Sequence, residues 1–316
     1  MAERVALIVN PAATRVRPAL VQRVVAMLGP LDPADIASTE HAGHGGALAT
    51  AAAERGATLV VVLGGDGIVN EVASALAGSR VGVAPLAGGS TNVFARALGW
   101  PHPAAAALPV LQQAIRSPVW RDVRMGRVVA GTVDQVFCMN VGVGIDAETV
   151  QIVEARPWLK HRLRHVGFGA ATIAAALRGA RNPSRLVAAV DGGDPTALTS
   201  LIAACGAPYA YLGPRPLDLV PGADFGDRLR WLGLRSASLR PVGGVVGGAL
   251  RGGRHLGHPA VVDGWAAHEI RVDSARPAAV QADGEPLGWH TRITIAPGQH
   301  LRVLRPPTDG RHAPLT

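Results

Sequence analysis

The sequence has almost no lysine, and this absence excludes a large class of nucleotide-binding proteins. Lys160 is the only lysine, although lysine and arginine together number 31. A Walker A loop needs a lysine directly after its glycines, and Lys160 follows no glycine turn. The chain is therefore not a P-loop NTPase. Arginine supplies nearly all of the positive charge, and the formal net charge of +8 favours anionic partners such as nucleotides or an acidic membrane face.

Cysteines and long apolar runs are also scarce. Cys138 and Cys205 are the only cysteines, and two thiols in apolar surroundings indicate a reducing cytoplasm rather than a disulfide framework. The longest uncharged apolar run, residues 166–177, is too short to span a bilayer. The first four residues lead straight into an apolar strand, so no signal peptide is predicted. We therefore expect a cytoplasmic protein whose membrane contact is peripheral.

Charged residues are few, but the chain is not disordered. Only 17% of its residues are charged and 48% are hydrophobic, a balance that excludes global disorder. A chain of 316 residues is long enough for two domains with their own cores.

The most informative stretch is Leu59–Val72. Five apolar residues predict a strand buried on both faces, and a Gly-Gly-Asp-Gly turn follows at Gly64–Gly67. Helical spacing of apolar residues begins at or just after Gly67. A glycine turn at a helix N-terminus suits phosphate. Asp66 would repel a phosphate directly, so either it binds a bridging cation or meets an acceptor hydroxyl, or it only caps the helix.

The order of predicted elements changes along the chain. Up to about residue 121, strands alternate with helices, which predicts a parallel α/β sheet with ligands at the carboxyl ends of its strands. A second glycine turn, Gly88–Asn92, belongs to this part. From about Asp122, many short strands, one of them over 135–143, predict an antiparallel sandwich or barrel, with helices at about 160–177 and 242–250. We place the domains at 1–121, with about 303–316 returning to the first, and at 122–302.

Three segments in the second half of the chain contain candidate functional residues. Asp283-Gly284-Glu285 ends a strand, and is either a hairpin turn or the source of a catalytic base. The acidic turn Pro221–Leu229 could hold a hard cation or be an ordinary surface turn. The segment Trp158–His165 mixes aromatic and basic side chains, which suits a membrane interface or, more often, a solvated basic helix.

Taken together, the motifs resemble the diacylglycerol kinase catalytic-domain family, specifically the soluble bacterial lipid kinases. The similarity extends to about Pro306, and the ordered set is more specific than Gly-Gly-Asp-Gly alone, which NAD kinases and phosphofructokinases share. The motifs that carry it are Asn10-Pro11, Thr39 before Gly43-His44, Gly64–Gly67 with Asn70-Glu71, Gly89–Asn92 with Phe94-Ala95-Arg96, Asn140–Asp146, Gly253–His255 with His258-Pro259, and Asp283–Glu285.

The resemblance implies an α/β nucleotide domain followed by a β-sandwich, with the active site in the cleft between them. It implies ATP and Mg²⁺ as cofactors and a lipid hydroxyl as acceptor. Glu285 would be the general base, and Asp66 would engage the catalytic Mg²⁺. Asp227, with Asp224 and Leu229, matches a second, structural Mg²⁺ site. The positions that match the family's nucleotide site are Asn10, Thr39, Gly65, Asp66, Gly67, Asn70 and Ser90.

The chain departs from the family pattern at three positions. Ile68 replaces a threonine, Val93 replaces an aspartate, and Arg228 replaces a glycine. These departures keep open a non-catalytic nucleotide- or lipid-binding homologue, and an NAD kinase is a further alternative. The expected partners are ATP and a lipid at the membrane surface, with no nucleic acid. Which lipid is phosphorylated is open, as is the oligomeric state, for which a homodimer is one option.

Overall fold

The computed structural model describes residues 4–154, 185–236 and 238–307, and the chain divides into two compact units. The first unit contains the described residues up to Val123 and those from Gln299 onward, and the second contains Arg124–Gly298. The segment Trp158–His165 and the helix expected at 160–177 lie outside the described residues. Within the described residues, no helix is both long enough and apolar enough to cross a membrane.

The first unit is built on a parallel sheet, as predicted. Its strands lie in the order β2, β1, β3, β4. All residues of β1, β3 and β4 are buried, as expected for strands that are covered on both faces. Val303, near the end of the described chain, pairs in parallel with Val83 of β4. The bounds are β1 (Val5–Val9), β2 (Ile36–Ser38), β3 (Leu59–Gly64) and β4 (Gly82–Ala87).

Within the described residues, the first unit has five α-helices, of which three connect these strands and two follow β4. On one face of the sheet, Val24 of α1 and Leu111 of α5 are fully buried in a core with Leu63 of β3. The helix α5 was not predicted, and it contains Pro109, a residue that usually breaks a helix. The bounds are α1 (Pro18–Leu28), α2 (His44–Glu54), α3 (Asp66–Leu76), α4 (Val93–Ala97) and α5 (Ala104–Arg116).

The strands of the second unit pair antiparallel, which confirms the expected change of architecture. Strands β14, β13, β10, β7 and β15 lie side by side, and β15 also pairs with β8 and β16. The bounds are β5 (Trp120–Ala130), β6 (Val133–Phe137), β7 (Asn140–Gly144), β8 (Leu186–Val190), β9 (Thr196–Leu198), β10 (Ser200–Ala204), β11 (Ala210–Leu212), β12 (Arg215–Leu217), β13 (Leu229–Leu234), β14 (Val261–Ala266), β15 (Ile270–Ala282) and β16 (Glu285–Leu304).

Two further helices, α6 (Ile145–Glu154) and α7 (Leu239–Ala249), share one apolar core with Ile202 of β10 and Leu232 of β13. The sequence predicted α7 but not α6. It also predicted one strand over 135–143, which the structure divides into β6 and β7. The division occurs where main-chain N–H groups donate to a carboxylate from a distant turn instead of to a neighbouring strand.

Candidate functional site

The two glycine turns of the first unit are in main-chain contact. They follow β3 and β4, whose carboxyl ends lie at the same edge of the parallel sheet. The N–H groups of Gly88 and Gly89 donate to the carbonyl of Gly64 at 2.8 and 3.1 Å. A Cβ atom on Gly89 would stand 2.6 Å from the Cα of Gly65. Any side chain at Gly89 would therefore push the two turns apart.

The loop after β1 joins the same edge. The N–H of Asn10 donates to the carbonyl of Leu63 at 2.9 Å, and its side-chain Oδ1 accepts the N–H of Ala12 at 3.0 Å. Five residues further on, the N–H of Arg15 donates to the carbonyl of Gly88 at 2.9 Å. Asn10 therefore shapes this loop, and Arg15 ties it to the second glycine turn.

Asp66 is the first residue of α3, and its carboxylate bridges to the second turn. Its Oδ2 accepts the hydroxyl of Thr91 at 2.9 Å, and its Oδ1 accepts the N–H of Phe94 at 3.2 Å. Phe94 lies in the first turn of α4, so Asp66 caps a neighbouring helix, which the sequence did not predict. The side chain is only half-buried. Asp66 thus holds the two turns together while it remains accessible from solvent.

Asn92 fixes the second turn from within. Its Oδ1 accepts the N–H of Gly89 at 2.8 Å, and its Nδ2 donates to the Gly89 carbonyl at 2.9 Å. Asn92 is buried and has a φ of 50°, a left-handed conformation that asparagine tolerates better than most residues. Ser90, a predicted nucleotide-site residue, lies half-buried inside this closed turn.

Glu71 caps a helix that has no cap of its own, a role that the sequence did not reveal. Its Oε1 and Oε2 accept the N–H groups of Gly43 and Gly45, each at 2.8 Å. Gly43 precedes α2 and has no side chain with which to satisfy these donors. A negative charge at this position is favourable because a helix N-terminus is the positive end of its dipole. The signal in the sequence was a glycine-rich helix start without Ser, Thr, Asp or Asn.

The remaining predicted nucleotide-site residues lie at the same edge or in the first turns of α3. Thr39 follows β2, and its N–H donates to the carbonyl of Val9 at 2.9 Å. Gly67 is exposed in α3, and Asn70 is half-buried with its Oδ1 accepting the hydroxyl of Ser74 at 3.3 Å. All seven predicted residues therefore belong to the first unit.

Ile68 points into the protein rather than toward the turn. It is 4% exposed, and a Cβ on Gly64 would lie 2.4 Å from its Cγ2. A Cβ on Gly45 would lie 3.0 Å from its Cγ1. This departure from the family pattern therefore changes core packing.

Two arginines and a histidine form a basic cluster attached to the second glycine turn. The guanidinium of Arg15 contacts Nε2 of His102. Burial, followed by the positive charges of Arg15 and Arg96, lowers the pKa of His102 below its ordinary value. The imidazole is therefore neutral at neutral pH and can accept a hydrogen bond from Arg15.

In the second unit, Asp283 collects three consecutive main-chain donors. Its Oδ2 accepts the N–H of Cys138 at 2.6 Å, and its Oδ1 accepts those of Met139 and Asn140 at 2.8 and 3.0 Å. Its own N–H donates to the Asn140 carbonyl at 2.9 Å, and its φ is 49°. This arrangement fixes the turn that carries Glu285.

A buried polar network supports the same turn. Asp146 accepts the hydroxyl of Tyr209 at 2.5 Å and the amide Nε2 of Gln281 at 2.7 Å. The Oε1 of Gln281 accepts the N–H of Gly284 at 2.8 Å, next to Glu285. Burial raises the pKa of Asp146, and the hydrogen bonds from Tyr209 and Gln281 oppose this shift. Burial and then the charge of Asp146 raise the pKa of Tyr209 well above its ordinary value, so Tyr209 remains a donor.

Glu285 is the first residue of β16 and is exposed. It pairs with Ala282 across the hairpin, so the Asp-Gly signal for a turn is confirmed. The candidate base therefore stands on a hydrogen-bonded turn in the second unit, whereas Asp66 belongs to the first.

The predicted structural metal turn is occupied by protein contacts. The guanidinium of Arg124 lies 2.6 Å from Oδ1 of Asp227. Asp224 accepts the N–H of Gly226 at 3.0 Å, and Leu229 is a fully buried residue of β13. Within the described residues, no group of three or more His, Cys, Asp or Glu side chains could hold a metal ion. The second metal site stays a prediction.

The two architectures are those of one class of kinases, and family models match both. Residues 4–128 match the diacylglycerol kinase catalytic domain, and residues 139–305 match the YegS C-terminal NAD kinase beta sandwich-like domain. The chain belongs to the diacylglycerol kinase catalytic-domain family, as its motifs predicted. The second match also confirms the β-sandwich. A search of curated proteins found no match to this chain.

Solved structures share the fold along nearly the whole chain. A protein proposed to be a diacylglycerol kinase, from Bacillus anthracis, aligns with a TM-score of 0.70 at 21% identity, covering 96% of this chain and 98% of that one. A diacylglycerol kinase from the same organism aligns with a TM-score of 0.64 at 20% identity, covering 96% and 97%. An NAD kinase from Archaeoglobus fulgidus in complex with ATP aligns with a TM-score of 0.51 at 14% identity, covering 96% and 94%.

Proposed function

We propose that this protein is an ATP-dependent lipid kinase that transfers the γ-phosphate to a hydroxyl of a lipid such as diacylglycerol. The observation that carries the proposal is the position of Asp66, whose carboxylate bridges two glycine turns in main-chain contact. Its membership of the diacylglycerol kinase catalytic-domain family supports the reaction type. The NAD kinase structure in complex with ATP supports ATP as the donor for this fold.

The first unit offers the contacts that a nucleotide needs. Main-chain N–H groups and the positive end of α3 suit phosphate, and the glycines let it approach the main chain closely. We assign the nucleotide site to Asn10, Thr39, Gly65, Asp66, Gly67, Asn70 and Ser90. Arg15, held by His102 at the second turn, supplies positive charge where the chain has no lysine.

Asp66 would hold the magnesium ion that accompanies the nucleotide. A half-buried carboxylate at the junction of the turns fits Mg²⁺, which proteins usually bind through one or two carboxylates together with phosphate oxygens. The ion would neutralise charge on the transferred phosphoryl group.

We propose Glu285 as the general base that accepts the proton of the lipid hydroxyl. An exposed carboxylate can reach a substrate, and the network around Asp283 and Gln281 holds its turn in place. Phosphoryl transfer depends mostly on positioning and charge neutralisation, so a modest base suffices. We further propose that the protein is cytoplasmic and associates peripherally with membranes, since its net charge of +8 favours anionic lipid surfaces.

The test is ATP consumption in the presence of Mg²⁺ and mixed micelles that contain diacylglycerol. We expect turnover with the lipid and none with NAD as the acceptor. Asp66→Asn should fold normally but reduce turnover about a hundredfold, because it removes a charge from the reacting groups. Glu285→Gln should reduce turnover similarly while nucleotide affinity stays nearly unchanged.

Thr91→Val is the matched control for Asp66→Asn. It removes one hydrogen bond to the same carboxylate and leaves the charge in place, so we expect a decrease in turnover of less than about tenfold. Normal turnover in a folded Asp66→Asn protein would show that Asp66 acts only as a helix cap. Turnover with NAD but not with lipid would show that the protein is an NAD kinase rather than a lipid kinase. No turnover with either acceptor would favour a non-catalytic homologue.

A further inference from the structure

An arginine occupies the turn where the resemblance places a second divalent cation. Arg124 of β5 contacts the turn 221–229 twice, because its N–H donates to the carbonyl of Phe225 at 2.9 Å and its Nη2 donates to Oδ1 of Asp227 at 2.6 Å. Its Nη1 donates to the carbonyl of Gly298 at 2.9 Å. One guanidinium thus joins the acidic turn to β16.

These acceptors are of the type that a hard cation would use. Mg²⁺ and Ca²⁺ bind carboxylate and main-chain carbonyl oxygens, and Arg124 donates to one of each. The planar guanidinium of Arg124 directs two N–H groups at two separate oxygens, so one side chain can bind the Asp227 carboxylate and the Gly298 carbonyl together. The Arg124 side chain is 23% exposed and that of Asp227 is 78% exposed, so the guanidinium is largely shielded from water whereas the carboxylate is not.

The surrounding charges also disfavour a metal ion. The guanidinium of Arg228, inside the turn, lies 5.0 Å from the ring centre of Trp265. Arg230 donates its Nε to the carbonyl of Pro221 at 3.2 Å and thereby holds the other end of the turn. A divalent cation at Asp227 would meet the positive charge of Arg124 directly. The residues present therefore do not fit a second divalent cation.

We propose that Arg124 takes the place of the structural cation, so that this turn is stable with no bound metal. The proposal concerns the fold of the second unit and does not depend on kinase activity. It also separates two uses of magnesium: the ion at Asp66 would enter with the nucleotide, and the acidic turn would need none.

Thermal unfolding without nucleotide tests the proposal in the full-length protein. The wild type and Asp227→Asn are compared in EDTA and in millimolar Mg²⁺. We expect Mg²⁺ to change the Tm of both proteins equally, because no ion binds at Asp227 in either. A rise in Tm with Mg²⁺ in the wild type that Asp227→Asn abolishes would overturn the proposal.

A second experiment removes the guanidinium of Arg124 and uses Arg127, another arginine of β5, as the control. We expect Arg124→Ala to lower the Tm by about 5 °C in EDTA. Arg127→Ala removes a pair with Asp134 in which both side chains are more than half exposed, and should lower it by less than about 2 °C. Equal losses in the two variants would contradict a role for Arg124 beyond an ordinary surface pair.

Magnesium should then restore part of the loss in Arg124→Ala, since the vacated carboxylate and carbonyl become available to a cation. The double variant Arg124→Ala/Asp227→Asn should not respond. Absence of this restoration, or an equal restoration in the double variant, would count against the proposal. If Arg124→Ala does not fold, Arg124→Lys is used in the same way, because lysine keeps the charge but lacks the planar fork.

Discussion

The contact between the two glycine turns of the first unit (the glycine junction of Gly64 and Gly65 with Gly88 and Gly89) and the Asp283 turn of the second unit are held by opposite means. At the junction, main-chain atoms of Gly64 and Gly89 touch directly, and side chains are excluded. At the Asp283 turn, side-chain oxygens accept main-chain N–H groups from a distant segment. The junction is therefore sensitive to added atoms, and the turn to removed polar groups.

Removal of the Asp283 carboxylate should give the largest effect. We expect Asp283→Ala to lower the free energy of unfolding by about 3 kcal/mol, because three N–H groups lose a charged acceptor. Turnover in the lipid assay should also fall at least tenfold, since Glu285 would no longer stand on a fixed turn. Chemical denaturation and the ATP assay measure the two effects.

Asp191 is a matched control for Asp283. It also has a left-handed φ, of 51°, and also accepts three consecutive N–H groups, those of Ala267, His268 and Glu269. It is exposed, so Asp191→Ala should cost only about 1 kcal/mol and leave turnover unchanged. Equal losses of turnover in both variants would show that general destabilisation, rather than the position of Glu285, explains the effect of Asp283→Ala.

A methyl group at the junction should have the next largest effect. In Gly89→Ala the new Cβ would lie 2.6 Å from the Cα of Gly65, and main-chain atoms cannot move aside as a flexible side chain can. We expect a loss of about 2 kcal/mol in the free energy of unfolding and at least a tenfold weaker affinity for ATP, measured by denaturation and calorimetry.

Gly46→Ala is the control in the same unit. Its Cβ would meet its nearest neighbour at 3.4 Å, an ordinary contact, and alanine favours a helix interior more than glycine does. This variant should be as stable as the wild type or slightly more stable, with unchanged ATP affinity. A Gly89→Ala protein that behaves like Gly46→Ala would show that the two turns do not need main-chain contact.

The smallest effect concerns pH, and it distinguishes two carboxylates of the second unit. Burial alone would raise the pKa of Asp191, but the N–H groups of Ala267, Glu269 and His268 lower it. Its contribution to stability is therefore present above the ordinary pKa of aspartate, about 3.9, and is lost as the pH falls through the lower folded value. Burial raises the pKa of Asp146, so its effect has the opposite sign.

Denaturation at a series of pH values measures this difference. As the pH falls through the range below about 4, the stability difference between the wild type and Asp191→Asn should shrink by up to about 1 kcal/mol. As the pH falls from neutral, the wild type should instead gain stability relative to Asp146→Asn, because protonation removes a buried charge. The same sign for both variants would contradict the opposite pKa shifts.

Secondary structure was predicted most accurately from the sequence where the residues that form the pattern are close together in the chain. The run of apolar residues in β3, the glycines after it and the helical spacing of α3 lie within eighteen positions, Leu59–Leu76, and each constrains its neighbours. The returning strand at Val303 and the antiparallel second domain depended on the family resemblance and on the spacing of strands. Helix α5 was not predicted, although it buries alanines and leucines at helical spacing on either side of Pro109.

The contacts that hold the sites could not be predicted in the same way, because their partners are far apart in the chain. Asp283 accepts N–H groups from residues 143 to 145 positions earlier in the chain, and Glu71 caps α2 by accepting the N–H of Gly43, which lies 28 positions before it. Main-chain donors carry no residue identity, so a sequence does not show which carboxylate will accept them. The same limit applies to Asp66, whose role as a cap for α4 depends on how the two turns meet.

The burial of Ile68 has an evolutionary consequence. Its two γ carbons fill the space that side chains at Gly64 and Gly45 would need, so three segments of the chain share one volume. A methyl group at Gly64 would meet Ile68 first, whereas one at Gly45 would meet Glu71 Oε2 at 2.7 Å before it met Ile68. We therefore expect substitutions at positions 64 and 68 to be coupled, because a smaller residue at position 68 leaves a gap that a methyl group at position 64 would partly fill.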